Sequence, residues 1–192
     1  MIDVLQKLFG SSARVKLLRL FLFSPKATFT TADSALRARV TANEARREIN
    51  LFLSVGVVIR TSRGKVMRYG LNGNFSYVAA LQNLLLNAPA RGEDIVGRLR
   101  GVGSLKLIVL SGIFVGEWDG RIDMFVVGDK VVDRKIRERV RQLEAEIGKE
   151  IRFALLASED FFYRLNMNDK LVRDVFDYPH RIVLDKLNIG LK

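Results

Sequence analysis

The chain opens with apolar residues that recur at helical spacing. The first pattern follows a capping serine, Ser11 or Ser12, and runs to about Phe23, where Ser24-Pro25 ends it. A shorter pattern of the same kind covers residues 31–39. Both patterns predict amphipathic helices, and the wide apolar stripe of the first predicts a central helix with neighbours on several sides.

A third helix is predicted from Thr41 to about Ser54. Thr41 and Glu44 have the spacing of a capping box, in which each residue satisfies a backbone N–H at the start of the helix. Four polar residues fall on or beside the face opposite the apolar stripe, near the N-terminal end: Asn43, Arg46, Arg47 and Asn50. An α-helix enters the DNA major groove, where Arg can bond guanine and Asn can bond adenine. We therefore expect these four residues, together with Thr41, to contact DNA. Two short helices joined by a three- to four-residue turn predict a helix-turn-helix.

A β-hairpin is predicted after this helix. Gly56 provides a left-handed cap, Val57 to Thr61 forms a strand, and Val66 to Leu71 returns after a turn over residues 62–65. The hairpin carries four cations suited to phosphates or to the minor groove: Arg60, Arg63, Lys65 and Arg68. The order helix, helix, helix, hairpin is that of a winged helix-turn-helix.

The distribution of charge along the chain indicates the class of partner. The first 90 residues hold 13 Lys and Arg against 4 Asp and Glu, a net charge of +9, whereas the other 102 residues hold 19 against 17, or +2. Such asymmetry predicts a polyanionic partner for the first half. Nucleic acid is the expected partner. An anionic membrane surface and a basic face kept for solubility are the alternatives, and the scattered cations Arg14, Lys16 and Arg19 argue against a membrane-surface helix.

Composition excludes several function classes. The 192 residues include no cysteine and one histidine, His180, so disulfides, Cys-zinc sites, thiol nucleophiles and multi-His metal sites are excluded. The longest apolar stretch, residues 107–116, is about half of the roughly 20 residues that span a bilayer. No secretory signal is visible in the first residues, which include Asp3. We therefore expect a soluble, cytoplasmic protein with no membrane partner.

Proline and glycine mark a boundary in the middle of the chain. Asn87 to Gly92 has the composition of a linker, which predicts a DNA-binding domain over 1–88, a linker or helix over 89–100 and a second domain over 101–192. The segment from Phe75 to Leu86 is apolar nearly all round. It is either a dimerising element or a helix packed against its own domain.

The second half alternates strands with helices. Strands are predicted at residues 105–110, 121–127, 150–156 and 182–184, with an amphipathic helix over 133–147 and another beginning at Ser158 as its cap. This alternation predicts a mixed α/β sheet with flanking helices, and hence a two-domain protein of α+β and α/β class.

Residues 8–72 resemble prokaryotic winged-helix transcriptional regulators, especially those joined to a nucleotidyltransferase-like domain. The similarity is carried by Leu-Phe-Gly-Ser-Ser-Ala-Arg-Val-Lys-Leu-Leu, by Ala-Arg-Arg-Glu-Ile-Asn and by Arg-Tyr-Gly-Leu-Asn at the end of the hairpin. The resemblance implies duplex DNA binding, usually as a homodimer, with base contacts from the helix that Thr41 opens.

Residues 101–190 resemble the nucleotidyltransferase fold of polymerase-β-like enzymes, particularly the minimal antitoxin-type members. In that family a Gly-Ser pair, a second glycine, an Asp-x-Asp and a third acid hold a triphosphate and two magnesium ions. This chain has Ser111-Gly112 in place of Gly-Ser and Arg121-Ile122-Asp123 in place of Asp-x-Asp, while Gly116 and Glu117 match. The position of the family's third acid corresponds to either Arg152 or Glu150 in this chain. Because Mg²⁺ needs several oxygen ligands, these changes predict a catalytically degenerate domain.

The expected site assignments follow from these departures. We expect no catalytic residue, no metal site and no cofactor; Mg²⁺ and a nucleoside triphosphate would belong only to an active enzyme. The possible vestigial nucleotide-binding residues are Ser111, Gly112, Gly116, Arg121 and Asp123. Arg121, joined by Arg152 if both point the same way, could pair with an anionic ligand. Asp119 and Asp129 are expected to be solvated turn residues, and His180 a loop residue.

The leading hypothesis is a sequence-specific regulator that binds double-stranded DNA, with a degenerate nucleotidyltransferase-like domain for dimerisation, partner docking or ligand sensing. The alternatives are an active nucleotidyltransferase and an antitoxin-type or scaffold protein that binds a protein partner through the C-terminal domain.

Overall fold

The computed structural model describes residues 4–63, 66–86, 92–117 and 120–189. Over those ranges the chain is a mixed α/β protein with nine α-helices and two sheets. It divides into two units: Met1–Pro89 with Arg141–Glu150, and Ala90–Val140 with Ile151–Lys192. No helix in these ranges combines the length and apolar character needed to cross a membrane. The predicted mixed class of helices and sheets is confirmed at this level.

The first unit contains a small antiparallel sheet and five helices. The helices are α1 (Val4–Phe9), α2 (Ser12–Leu22), α3 (Thr31–Ala38), α4 (Ala42–Val55) and α5 (Val78–Leu86). The strands are β1 (Thr28–Phe29), β2 (Val58–Arg63) and β3 (Val66–Leu71), in the order β1-β3-β2. The three predicted helices and the hairpin are confirmed to within two residues at most ends. The last helix starts three residues later than the predicted Phe75, and the predicted linker over residues 87–91 lies outside the described residues.

Side-chain caps set where the helices of this unit begin. Ser11 Oγ accepts a hydrogen bond from the Arg14 N–H at 3.1 Å, as predicted for the start of α2. The helix then buries eight of its eleven residues, which makes it the central helix of the unit. Phe21 on α2 packs edge-on against Phe29 and Phe52, with ring centroids 5.9 and 6.4 Å apart. The capping serine thus sets the start of α2, and the apolar stripe places the helix at the centre of the core.

Arg19 lies in this core rather than on a basic surface. Its residue is 1% exposed, and its guanidinium donates to the Glu146 carbonyl oxygen at 2.9 Å. Gly148 has a φ of +82°, and a Cβ there would lie 2.4 Å from the Arg19 carbonyl carbon. Only glycine permits that approach without displacing backbone. One of the cations counted as scattered surface charge is therefore structural.

The second unit is built on a four-stranded sheet. Its strands are β4 (Ser104–Leu110), β5 (Met124–Asp129), β6 (Phe153–Leu156) and β7 (Arg181–Asp185), in the order β6-β5-β4-β7. Only the β5–β6 pair is parallel. The helices are α6 (Gly92–Arg98), α8 (Ser158–Asn166), α9 (Lys170–Asp177) and the first part of α7 (Asp133–Ile147), whose residues from Arg141 onward belong to the first unit. A 3₁₀ turn covers Gly112–Val115.

One apolar core of this unit joins the sheet to α8 and α9. It contains Leu107, Val109, Phe125, Val127, Phe161, Val172 and Val175, each no more than 2% exposed. Three expectations need correction. The strand predicted over residues 150–156 covers only Phe153–Leu156, where pairing with β5 begins. The strand predicted from Arg121 begins only at Met124, where pairing with Leu110 and Phe153 begins. Asp123, just before it, has a buried side chain that accepts hydrogen bonds. Ser158 does not cap α8; it is the first helical residue, and Ala157 holds the cap position.

Candidate functional site

Helix α4 presents a polar face near its N-terminal end. Ala45, Ile49 and Phe52 are at most 2% exposed, so the opposite face of the helix points to solvent. Four predicted site residues are exposed on or beside that face: Asn43, Arg46, Arg47 and Asn50. Arg46, Asn43 and Asn50 make no side-chain hydrogen bond or ion pair with any residue that the structure describes. Their donors and acceptors are therefore available to a ligand.

Thr41 uses its polar atoms to start the helix. Thr41 Oγ1 accepts from the Glu44 N–H at 3.2 Å, and Glu44 Oε2 accepts from the Thr41 N–H at 2.8 Å and from the Thr41 hydroxyl at 2.7 Å. These hydrogen bonds, the backbone one first, hold the pKa of Glu44 below its ordinary value of 4.5. A depressed pKa contributes stability that is complete above pH 4.5 and is lost as the pH falls through the lowered value. The predicted capping box is confirmed.

Replacing Thr41 with alanine is expected to lower the free energy of unfolding by about 1 kcal/mol, because one N-terminal N–H of α4 loses its cap. The Glu44 carboxyl also loses its hydroxyl donor, so its pKa should rise toward 4.5. Urea unfolding and an NMR titration of Glu44 measure the two effects. Thr41→Ser, which keeps the hydroxyl, is the matched control. A Thr41→Ala protein with unchanged stability and unchanged Glu44 titration would contradict the role of the cap.

A buried carboxylate, Glu48, contacts one arginine of the polar face of α4. Glu48 is fully buried on α4, where its oxygens accept from Arg14 Nε at 2.8 Å, from an Arg47 guanidinium nitrogen at 3.1 Å and from Ser11 Oγ at 3.3 Å. The Arg47 side chain is nevertheless 67% exposed. Arg47 is thus a held cation, whereas Arg46 beside it is a free one.

The hairpin separates two of its four predicted cations. Arg60 is paired across the ladder with Tyr69, and Arg68 with Thr61, so Arg60 and Arg68 lie on opposite faces. Arg60 is exposed and has no partner among the residues described. Arg68 instead donates to the Thr28 carbonyl at 2.6 Å and to Thr28 Oγ1 at 3.0 Å, and lies 3.6 Å from Asp33. Arg63 ends β2 with its side chain undescribed, and Lys65 lies outside the described residues.

In the second unit, Asp123 is a fully buried carboxylate with its acceptors occupied. One oxygen accepts from the Ile113 N–H at 3.0 Å and from an Arg152 terminal nitrogen at 2.9 Å. The other accepts from the Arg152 N–H at 2.8 Å and from Arg152 Nε at 2.9 Å. A Cβ on Gly112 would lie 2.2 Å from Asp123 Oδ1, so this glycine is required by close approach.

Arg152, not Glu150, is therefore the residue that faces Asp123. Glu150 accepts instead from Arg37 at 2.7 Å. Arg152 and Arg121 do not converge on one anion position: Arg152 binds Asp123 as a fork, and Arg121 donates to Asp174 Oδ2 at 2.9 Å. The expectation of a joint anion site for the two arginines is corrected, because their guanidinium groups bind two different carboxylates.

Ser111 and Gly116, two small residues of the expected nucleotide site, each have a structural role in the fold. Ser111 Oγ donates to the Ile122 carbonyl at 2.8 Å. Gly116 closes the 3₁₀ turn at a φ of +89°, where a Cβ would meet no atom within 4 Å. Its role in the described structure is therefore backbone conformation rather than close approach.

Three other polar residues were assigned to loops by the sequence. Asp129 is half-buried at the end of β5 and accepts from the Ser158 N–H at 3.1 Å and Oγ at 2.9 Å, which lowers its pKa below 3.8. Asp129 is thus the last residue of β5 rather than the turn residue that the sequence predicted. His180 precedes β7 as a loop residue, with Nδ1 2.8 Å from the Tyr178 carbonyl and its ring edge-on to Phe176. Asp119 lies outside the described residues.

Two groupings of the predicted site residues thus result: an exposed polar cluster on α4 in the first unit and, separately, the Asp123–Arg152 ion pair beside β5 in the second unit. Glu48 and Asp174 are the partners that the sequence did not reveal. No group of three or more His, Asp or Glu side chains that could hold a metal occurs in the described ranges. Comparisons of the chain with protein-family models, with curated proteins and with solved structures give no match.

Proposed function

We propose that the chain is a sequence-specific regulator that binds double-stranded DNA through α4. The observation that carries the proposal is the polar face of Asn43, Arg46 and Asn50, which is exposed and has no internal partner among the described residues. Bidentate Arg and Asn side chains are the groups that read guanine and adenine in the major groove. The same face belongs to the half of the chain that holds nearly all of the net positive charge.

Helix geometry supports this assignment. Only residues 39–41 separate α3 from α4, and Arg39 takes a left-handed conformation with a φ of 51° in that turn. Two helices joined in this way, followed by the β2–β3 hairpin, match the element order of a winged helix-turn-helix. In this proposal α4 reads bases and Arg60 on the hairpin contacts phosphate. Arg68 has a different function, because it ties β3 to Thr28.

Two-fold symmetric binding is part of the proposal. One side of α5 packs inward through Leu85, which is 0% exposed, and Gln82 donates to the Leu22 carbonyl at 2.8 Å. Tyr77, just before the helix, and Leu84 are 65% and 44% exposed. The helix therefore serves its own unit on one side and offers an apolar surface on the other, which we assign to a second copy of the chain. Light scattering should give twice the mass of one chain; a monomer at all concentrations would overturn this part.

The second unit is proposed to be a degenerate nucleotidyltransferase-like domain without catalytic activity. Arg152 fills both oxygens of Asp123, the one carboxylate left from the expected pair, and hard dications need several oxygen ligands. Incubation with labelled nucleoside triphosphate, Mg²⁺ and candidate acceptors tests this proposal. Transfer that Asp123→Asn abolishes, in a variant with an unchanged circular dichroism spectrum, would overturn it.

Recovery of bound duplexes from a random pool at two salt concentrations tests DNA binding. The proposal predicts an enriched sequence motif and a steep fall in affinity as the salt concentration rises, because phosphate contacts release counterions. A pool without enrichment, or binding that salt does not weaken, would contradict it.

Replacing Glu48 with glutamine is expected to reduce the preference for the selected duplex over a random one by about threefold to tenfold. The substitution removes the carboxylate that fixes Arg47, and it also removes a negative charge beneath the DNA-facing surface. Random-sequence affinity should therefore stay constant or rise while the preference falls, and fluorescence anisotropy with both duplexes measures the ratio. Glu44→Gln, on the same helix, is the control for charge alone. An unchanged ratio would show that Glu48 does not position Arg47 for reading.

A further inference from the structure

The second unit contains a cavity that DNA binding does not use. It has a volume of about 390 Å³, within the range of small-molecule sites, and lies between the residues around Gly120 and the end of α9. Its polar lining comes from Ser111, Glu117, Arg121 and Asp174, and Tyr178 and Pro179 contribute apolar surface. None of its lining residues belongs to the proposed DNA-binding face of α4.

Carboxylates outnumber cations in the lining. Asp174 and Arg121 form an ion pair at 2.9 Å, with side chains 17% and 67% exposed. Only one Asp174 oxygen is used in that pair, and Glu117 accepts no side-chain hydrogen bond from the residues described. The cavity therefore has two carboxylates against one guanidinium, and the positive charge of Arg121 is already balanced. A field of this sign favours a cation and disfavours a phosphate chain.

The hydroxyl of Ser111 also favours a cationic ligand over a phosphate. Ser111 is 6% exposed, and its single hydroxyl hydrogen is donated to the Ile122 carbonyl at 2.8 Å. A serine hydroxyl has one donor and two acceptor lone pairs. While Ser111 donates to Ile122, it can therefore only accept a hydrogen bond from a ligand. A phosphate oxygen needs a donor, whereas an ammonium group needs acceptors. The position that the nucleotidyltransferase resemblance assigns to phosphate is thus chemically an acceptor position.

We propose that this cavity binds a small molecule that carries an ammonium group. The ammonium donates to the unused Asp174 oxygen, to Glu117 and to Ser111 Oγ, and the alkyl part lies against Tyr178 and Pro179. Arg121 has five N–H donors and gives one of them to Asp174, so the others suit a carboxylate on the same ligand. A simple diamine and an amino acid with a basic side chain share this ammonium chemistry, and the Arg121 donors distinguish them.

Isothermal titration calorimetry on the full chain tests the proposal with four probes: 1,4-diaminobutane, L-lysine, inorganic phosphate and ATP. We expect an amine probe to bind and the phosphate-bearing probes not to bind. Glu117→Gln and Asp174→Asn should each weaken the amine by at least tenfold. Asp177→Asn is the matched control, because Asp177 lies on α9, pairs with Arg173 at 3.7 Å and does not line the cavity. Its affinity should stay within twofold of the original chain.

The probes also separate the two sources of the ammonium group. Preference for L-lysine that Arg121→Leu removes identifies an amino acid, whereas preference for the diamine identifies a polyamine-like ligand; both support the proposal. Binding of ATP or phosphate in place of the amines, or no amine binding at all, would overturn it. Glu117 is exposed, so Glu117→Gln keeps the test decisive even if Asp174→Asn fails to fold.

Discussion

Replacing Arg46 with alanine is expected to lower the affinity for the selected duplex by about tenfold to a hundredfold, with little change for random duplexes. A bidentate contact between arginine and guanine is worth about 1–3 kcal/mol of discrimination. Arg46 is the exposed arginine of α4 whose guanidinium has no partner in the described structure, so its donors are not already committed. Arg47→Ala should reduce discrimination less, because Arg47 already donates two of its N–H groups to Glu48 and has fewer left for a base. Fluorescence anisotropy with both duplexes measures these changes.

A phosphate contact should respond differently from a base contact. Arg60→Ala, and Lys65→Ala in the same hairpin, are expected to weaken selected and random duplexes alike and to reduce the salt slope by about 1. Arg173→Ala is the control for the loss of one positive charge, since Arg173 lies on α9 and pairs with Asp177. Equal losses of discrimination for Arg46, Arg60 and Lys65 would contradict the division between reading and anchoring.

Replacing Arg152 with alanine is expected to lower the free energy of unfolding by about 2–3 kcal/mol. The change leaves Asp123 fully buried with only the backbone N–H donors of Ile113 and Arg152. Removing one partner of a fully buried ion pair costs about 3–5 kcal/mol, and the loss here is smaller because the Arg152 side chain is 41% exposed. Urea unfolding measures the loss, and faster hydrogen exchange of the Ile113 amide locates it beside Asp123.

Arg137→Ala is the control for this stability prediction. Arg137 pairs with Asp133 at 2.7 Å, but both side chains are more than half exposed, and such surface pairs contribute about 0–1 kcal/mol. Adding Asp123→Asn to Arg152→Ala should recover part of the loss, because the buried charge is then gone. Similar costs for Arg152→Ala and Arg137→Ala would show that the Asp123 pair is not a buried structural unit.

Local signals were sufficient for the helix that carries the proposed function. The start of α4 depends on Thr41 and Glu44, and its end on Gly56, which has a φ of 82°. All three act within a few residues, so their spacing along the chain determines the geometry. The β3 strand was likewise predicted at its observed bounds, because the turn residues that precede it are also a local signal.

Partners distant in sequence were not predictable in the same way. Glu48 lies on the same helical face as Ala45 and Phe52, and an acid on a buried stripe was a usable signal. Its partners Ser11 and Arg14, however, come from a different helix. Arg152 could be aligned with a catalytic acid, but only the fold shows that its fork closes on Asp123 from 29 residues away.

The missed helix α9 illustrates the limit set by length. Its eight residues carry apolar side chains at Leu171, Val172, Val175 and Phe176, which is a helical pattern over only two turns. Such a short run has little intrinsic stability. Burial of Val172 and Val175 against the sheet supplies the rest, and that packing depends on strands distant in sequence.

Titration of ¹⁵N-labelled protein with the selected duplex tests most directly whether α4 reads DNA. We expect the largest amide shifts between Ala42 and Asn50, with a second group around Arg60. A bound duplex that leaves the amides of α4 unchanged would contradict it.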